Sequence, residues 1–213
     1  MIPNMELSHL LLHTKDYAFC HIPKNAGLNF RRRYKKQHTM SPDKILVDIG
    51  KMSSREADTL FRHQPASWFE EQGIRPQQWI CISRNPYSRY VSWFFYIKQL
   101  SSNWNSYSFE AFVTKNLLEE TKERSSRTEF IAQGGLWWVS DTQSFWLKDK
   151  PSMKVFKLED GLKDMEDYTN TRFMDTVINS TMHDPWETYY TGELKHLVYE
   201  RYSEDFRNFG YER

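Results

Sequence analysis

Two short stretches hold the residue types that could do chemistry. In YAFCHIPKNAGLNF, residues 17–30, an apolar run stops at Pro23. Lys24, Asn25, Ala26 and Gly27 then lead into a segment of helical character. Backbone N–H groups in a tight turn, a helix N-terminus just beyond and one lysine are the parts of a phosphate or sulfate site. Ala26 and Gly27 keep side chains out of the way, so that an anion can approach the backbone, and Pro23 stiffens the exit from the strand. A plain strand-to-helix turn with a surface lysine accounts for the same residues. The pattern is not a Walker A loop, because G-x-x-x-x-G-K-[ST] is absent from the chain.

The second stretch is ISRNPYSRYVSW, residues 82–93. Arg84 ends another apolar run, where a guanidinium can grip a phosphate through two parallel hydrogen bonds. Ser92 adds a hydroxyl donor, and Arg89 lies three residues before it on a shared helix face. The competing reading pairs Arg84 with a carboxylate and keeps Ser92 because a small residue suits helix packing.

These groups need strands that end where they begin. Hydrophobic periodicity predicts strands at 17–22 and 78–83, a helix at 28–37 and a short strand in KILVDIG. Ser53 with Glu56 three residues on has the capping-box pattern for a helix over Ser54–Phe61. Asn85 is a good N-cap and Pro86 fits the first helical position. Further on come a helix over Phe109–Leu118, a strand in MKVFKL (153–158) and an amphipathic helix through Leu162, Met165 and Tyr168. A terminal helix through Leu194, Val198, Tyr202, Phe206 and Phe209 is stopped by Gly210. Apolar strands alternating with helices predict an α/β fold, a central parallel sheet flanked by helices. Ligands in such folds sit beyond the carboxyl ends of the strands.

The 213 residues are expected to form a single domain, 1–213, large enough for a real core. A net charge of +1 excludes a global attraction to nucleic acid or anionic lipid, so an anion site must be local. The run RRRYKK (31–36) reads as the solvated side of the first helix. Cys20 and Cys81 lie in apolar runs and read as reduced, packed thiols. LSHLLLHT near the start lacks a basic leader and a cleavage site, and no apolar stretch approaches a membrane span. A cytoplasmic location is the expectation.

Together the stretches resemble the sulfotransferases that use 3′-phosphoadenosine 5′-phosphosulfate (PAPS), in their carbohydrate-type branch. HIPKNAGLNF is similar to the family's 5′-phosphosulfate loop, usually written HIPKTGGTS. RNPYSRYVS resembles its 3′-phosphate motif, R-[DN]-P-x-x-R-x-x-S. LFRHQPASW, TQSFWLKD, VFKLED and YTGELKHLVYERYSEDFRNFGY are similar to the looser remaining pattern. The resemblance implies a P-loop-like sulfotransferase architecture and transfer of a sulfuryl group to a hydroxyl acceptor, a carbohydrate being one candidate. Lys24 and the residues Asn25, Ala26, Gly27, Leu28 and Asn29 would hold the 5′-phosphosulfate. Arg84 and Ser92 would hold the 3′-phosphate. Lys24 would also offset charge on the leaving oxygen, and no metal is required.

His63, in the family's His-Pro segment, is the candidate general base. A helix-end histidine bonded to backbone is the plainer account of it. Glu159 is the competing base and equally suits a salt bridge or a helix cap. His21 is expected to pack beside the site, and Gln143 is a candidate contact for acceptor or donor. Trp137, Trp138 and Trp146 could stack on a sugar, with a buried cluster as the alternative. One departure stands out: Leu28 has no hydroxyl where the family offers one, so Asn25 or Asn29 would have to supply an amide N–H instead. That departure keeps open a non-catalytic nucleotide-binding or interaction module. A small ATP-dependent kinase is a third reading, disfavoured by the missing Walker lysine.

Overall fold

The structure is a computed structural model. It describes residues 4–6, 14, 16–38, 46–48, 61–100, 102, 105–118, 141–148, 152–173 and 183–213. These fall into two compact units that alternate along the chain. The first comprises Met1–Ser83 and Gln143–Ile178, the second Arg84–Thr142 and Asn179–Arg213.

The first unit holds the strands. β1 (Asn4–Glu6) pairs antiparallel with β3 (Leu46–Asp48). β2 (Tyr17–Cys20), β4 (Gln78–Ser83) and β5 (Lys154–Lys157) form a three-stranded parallel sheet in that order. Tyr17 is in register with Gln78, Cys20 with Cys81, and Ile80 with Lys154. The central strand QWICIS is buried from Trp79 on, whereas KVFK, at the edge of the sheet among the described residues, exposes Lys154. α1 (Gly27–Gln37) and α6 (Lys163–Thr169) lie on one face of the sheet. There Phe30, Tyr34 and Met165 join Tyr17, Phe19, Ile80, Ile82 and Phe156 in one apolar cluster. Strand residues alternate faces, so Trp79 points the other way, toward α2 (Ala66–Glu71). It meets Phe69 at 6.2 Å between ring centroids, and its Nε1 donates to Glu70 Oε1 at 2.8 Å.

The second unit is helical among the described residues. It contains α3 (Pro86–Leu100), α4 (Phe109–Leu118), a 3₁₀ turn (Trp186–Tyr189) and α7 (Gly192–Phe209). Tyr87, Tyr90, Val91 and Phe94 recur at helical spacing on α3 and are buried. Tyr90 meets Phe112 of α4 at 5.5 Å and Tyr202 of α7 at 5.9 Å, contacts that add to the apolar burial. Asn85 caps α3 by accepting from the Tyr87 N–H at 2.9 Å. Gly210, at φ 62°, ends α7 in the left-handed region that favours glycine. Arg89 is buried, and its Nη1 donates to the Asp141 carbonyl at 2.9 Å. Burial pulls its guanidinium below the ordinary value, while Tyr202, Asp205 and Asp141 act in the opposite sense.

The mixed α/β character with a parallel sheet agrees with the sequence expectation. The strand expected over 17–22 stops pairing at Cys20, before Pro23, and the helix expected from 28 begins at Gly27. The run 31–36 is not wholly solvated: Arg32, Lys35 and Lys36 are exposed, but Arg31 and Tyr34 are buried. α2, the short α5 (Ser144–Leu147) and the 3₁₀ turn were not anticipated. The expected helix over Ser54–Phe61 (apart from Phe61), the segment LSHLLLHT (apart from Thr14), and Trp137 and Trp138 lie outside the described residues. Among the described residues no helix is long and apolar enough to cross a membrane.

Cys20 and Cys81 are free and fully buried as register partners on adjacent strands. Burial pushes the Cys20 thiol up to about 12 and that of Cys81 well above its ordinary value. Ellman's reagent is therefore expected to leave both thiols untouched in native protein at pH 8 and to react with both in denaturant. Replacing Arg89 with leucine is expected to cost about 3–5 kcal/mol in urea unfolding, because buried Asp205 loses a neighbouring positive charge.

Candidate functional site

The loop between β2 and α1 is held in a conformation that its residue types do not favour. Lys24 has φ 68° and Ala26 φ 60°, both in the left-handed region. For residues with a Cβ that region costs roughly 1–2 kcal/mol each. Asn25 between them has no such φ, so positive and ordinary φ alternate along the loop.

Asn25 opposes that cost. Its side chain is buried, and its Nδ2 donates to the Ile82 carbonyl at 2.8 Å and to Gln143 Oε1 at 2.6 Å. Both partners accept, which fixes the orientation of the amide: a flipped group would set oxygen against oxygen. The loop is thereby tied to the end of the central strand and to the residue that opens α5. Gln143, a candidate contact in the sequence, is fully buried in this arrangement and braces the loop. The amide N–H groups of Asn25 are likewise taken, which leaves its backbone as the part that could meet an anion. Asn29 is 8% exposed, and its Oδ1 has no protein partner.

Gly27 is needed for space. A Cβ there would fall closer than 3.0 Å to both Cδ2 and Nε2 of His21, whose ring lies against the glycine. α1 then starts with no side-chain cap from Ala26 and no acidic residue in its first turn. The positive end of the helix is therefore not offset by its own residues. Leu28 is half-buried and contributes no hydroxyl.

His63 stands next to this loop. Its ring centroid is 4.3 Å from that of His21, and its Nδ1 is 3.0 Å from the His21 carbonyl. A carbonyl only accepts, so Nδ1 carries the proton and Nε2 is the basic nitrogen of the neutral ring. The His63 carbonyl accepts from Trp146 Nε1 at 2.9 Å, and Trp146 is buried. Trp146 is thus a packing residue and not an exposed stacking platform. Glu159 is exposed, one residue beyond Leu158, whose N–H donates to the Ser83 carbonyl at 2.9 Å. It therefore lies past the carboxyl end of β5.

Arg84 and Ser92 belong to the second unit. Arg84, two residues before α3, is half-buried and its Nε donates to Ser88 Oγ in the first turn of that helix at 2.9 Å, which holds the guanidinium in place. Ser88 was not singled out in the sequence, although its spacing of four from Arg84 is the signal that could have found it. Ser92 is buried on α3. Among the described residues no group of three His, Cys, Asp or Glu side chains converges to hold a metal.

Comparison with family models, with curated proteins and with solved structures finds no match to this chain.

Burial holds the His21 ring well below its ordinary value of 6.5, and His63, Arg31 and Arg62 push it the same way. The unfolded chain takes up a proton there that the folded chain refuses, so stability falls as the pH drops below about 6.5 and is complete above it. Urea unfolding at pH 7, 6 and 5 is expected to show a loss of up to about 1.4 kcal/mol per unit from this residue. In His21→Ala that component should vanish. Asn25→Asp should cost more than Asn25→Ala, because a carboxylate would face two acceptors. Urea midpoints at pH 7 would check the order.

Proposed function

We propose that this chain binds PAPS and transfers its sulfuryl group to a hydroxyl acceptor, with sugars the first acceptors to try. The observation that carries the reading is the β2–α1 loop. It is a turn at the carboxyl end of a parallel strand, with positive φ at Lys24 and Ala26, a buried Asn25 amide bonded between them, and a glycine where a Cβ would clash. It carries a lysine and feeds an uncapped helix start. Those features favour a tetrahedral anion over a neutral ligand. In this reading the β2–α1 loop belongs to a P-loop-like sulfotransferase architecture.

Lys24 and the backbone N–H groups of residues 25–28 hold the 5′-phosphosulfate with the Asn29 side chain beside them, since the Asn29 N–H itself donates to the Ala26 carbonyl at 2.9 Å. Lys24 stabilises the negative charge that builds on the leaving oxygen. Arg84, oriented by Ser88, and Ser92 hold the 3′-phosphate. The bound donor supplies an activated sulfuryl group, and the protein's task is alignment and charge stabilisation. His63, with Nδ1 committed to a carbonyl, takes the acceptor's proton at Nε2. Glu159 is the alternative base.

A second reading rests on Leu28 and Asn25. One offers no hydroxyl, and the other has used its amide inside the protein. A loop in which only Asn29 is left to supply a side-chain donor suits a module that binds the nucleotide without turning it over.

Calorimetry with 3′,5′-ADP, 5′-AMP and ATP separates these readings from a kinase. The expected outcome is tight binding of 3′,5′-ADP alone, with Arg84→Ala abolishing the preference over 5′-AMP. Equal binding of 5′-AMP by the wild type would remove the 3′-phosphate site. With ³⁵S-labelled donor and a panel of hydroxyl acceptors, Lys24→Ala is expected to slow transfer about 100-fold with the circular dichroism unchanged. Nucleotide binding with no transfer to any acceptor would favour the second reading.

A further inference from the structure

The contacts of His21 go beyond packing beside the loop. Its ring occupies the space that a side chain at position 27 would need. Its backbone carbonyl accepts from His63 Nδ1, and its ring faces that of His63 at 4.3 Å. The ring's own Nδ1 is buried without a protein partner, so its place is set by packing and not by a hydrogen bond at that atom. One residue therefore touches the glycine that opens the anion loop and the imidazole proposed as base. We propose that His21 is a positioning residue that couples the two. Its ring sets the path of the loop at Gly27, and its carbonyl selects the His63 tautomer that presents Nε2 as the proton acceptor.

The inference rests on the sulfotransferase reading for its consequence in catalysis, but its geometry can be tested without turnover. An alanine at 27 requires the His21 ring to leave, and that movement disturbs both the loop and the carbonyl beneath it. A smaller residue at 21 gives the methyl group room. Gly27→Ala should therefore be harmful alone and be rescued by His21→Ala. Two side chains that did not share the same space would show no such rescue.

The test uses the full chain. In ¹⁵N-detected NMR, His63 of the wild type should be the Nδ1–H tautomer with an unprotonated Nε2. Gly27→Ala should abolish that signature and weaken 3′,5′-ADP at least 10-fold in calorimetry. The double variant His21→Ala, Gly27→Ala should recover the tautomer and bring affinity back to within about 3-fold. An Nε2–H tautomer in the wild type overturns the proposal, as does a Gly27→Ala variant that keeps both properties or a double variant that recovers neither. Should Gly27→Ala fail to fold, the wild-type tautomer and the recovery of folding in the double variant decide the matter. A wild type that shows the tautomer and its rescue but no affinity for 3′,5′-ADP defeats the donor assignment and leaves the coupling intact.

Discussion

The buried amide of Asn25 is the interaction on which the candidate site depends. Two residues with a Cβ flank it in the left-handed region, and each would relax to an ordinary turn if nothing held it. Two hydrogen bonds at 2.8 and 2.6 Å, made where water is excluded, hold the loop. Each is a bond to a neutral acceptor and contributes about 0.5–1.5 kcal/mol net. Its partners come from the end of β4 and the start of α5, so the shape of the loop is inherited from the rest of its unit.

The sequence revealed the elements better than the connections between them. The strands at Tyr17–Cys20, Gln78–Ser83 and Lys154–Lys157 stood out because apolar runs too short for a core helix and bounded by polar residues favour strands. The start of α3 was legible from Asn85 and Pro86, since a cap is a local feature. The left-handed conformation of Lys24 and Ala26 was not legible, because neither residue type favours it and its cause lies far along the chain in Gln143. For the same reason the bond from Asn25 to Gln143 could not be read from the sequence. The bond from His63 Nδ1 to the His21 carbonyl, which sets the ring's tautomer, was not legible in the sequence, because it joins residues 42 apart.

The helical unit shows how an ionisable group can be absorbed into a core. Arg89 lies in the stretch expected from the sequence to meet a phosphate, yet it is buried, donates to the Asp141 carbonyl and is close to Asp205 and Tyr202. Spacing alone cannot separate Arg84 from Arg89, since both are arginines near the start of one helix. Exposure separates them: Arg84 is half-buried and oriented by Ser88, whereas Arg89 is buried near Tyr202, Asp205 and Asp141.

The order of the strands bears on how the chain is made. β5 completes the parallel sheet by pairing Lys154 with Ile80, and the whole segment Arg84–Thr142 of the other unit is synthesised in between. A nascent chain that has emerged only through β4 therefore has one parallel pair and an open apolar edge, and Gln143 has not yet arrived to accept from Asn25. Pairings across such distances close slowly. The loop between β2 and α1, made well before its brace, is thus among the last parts to take its final form.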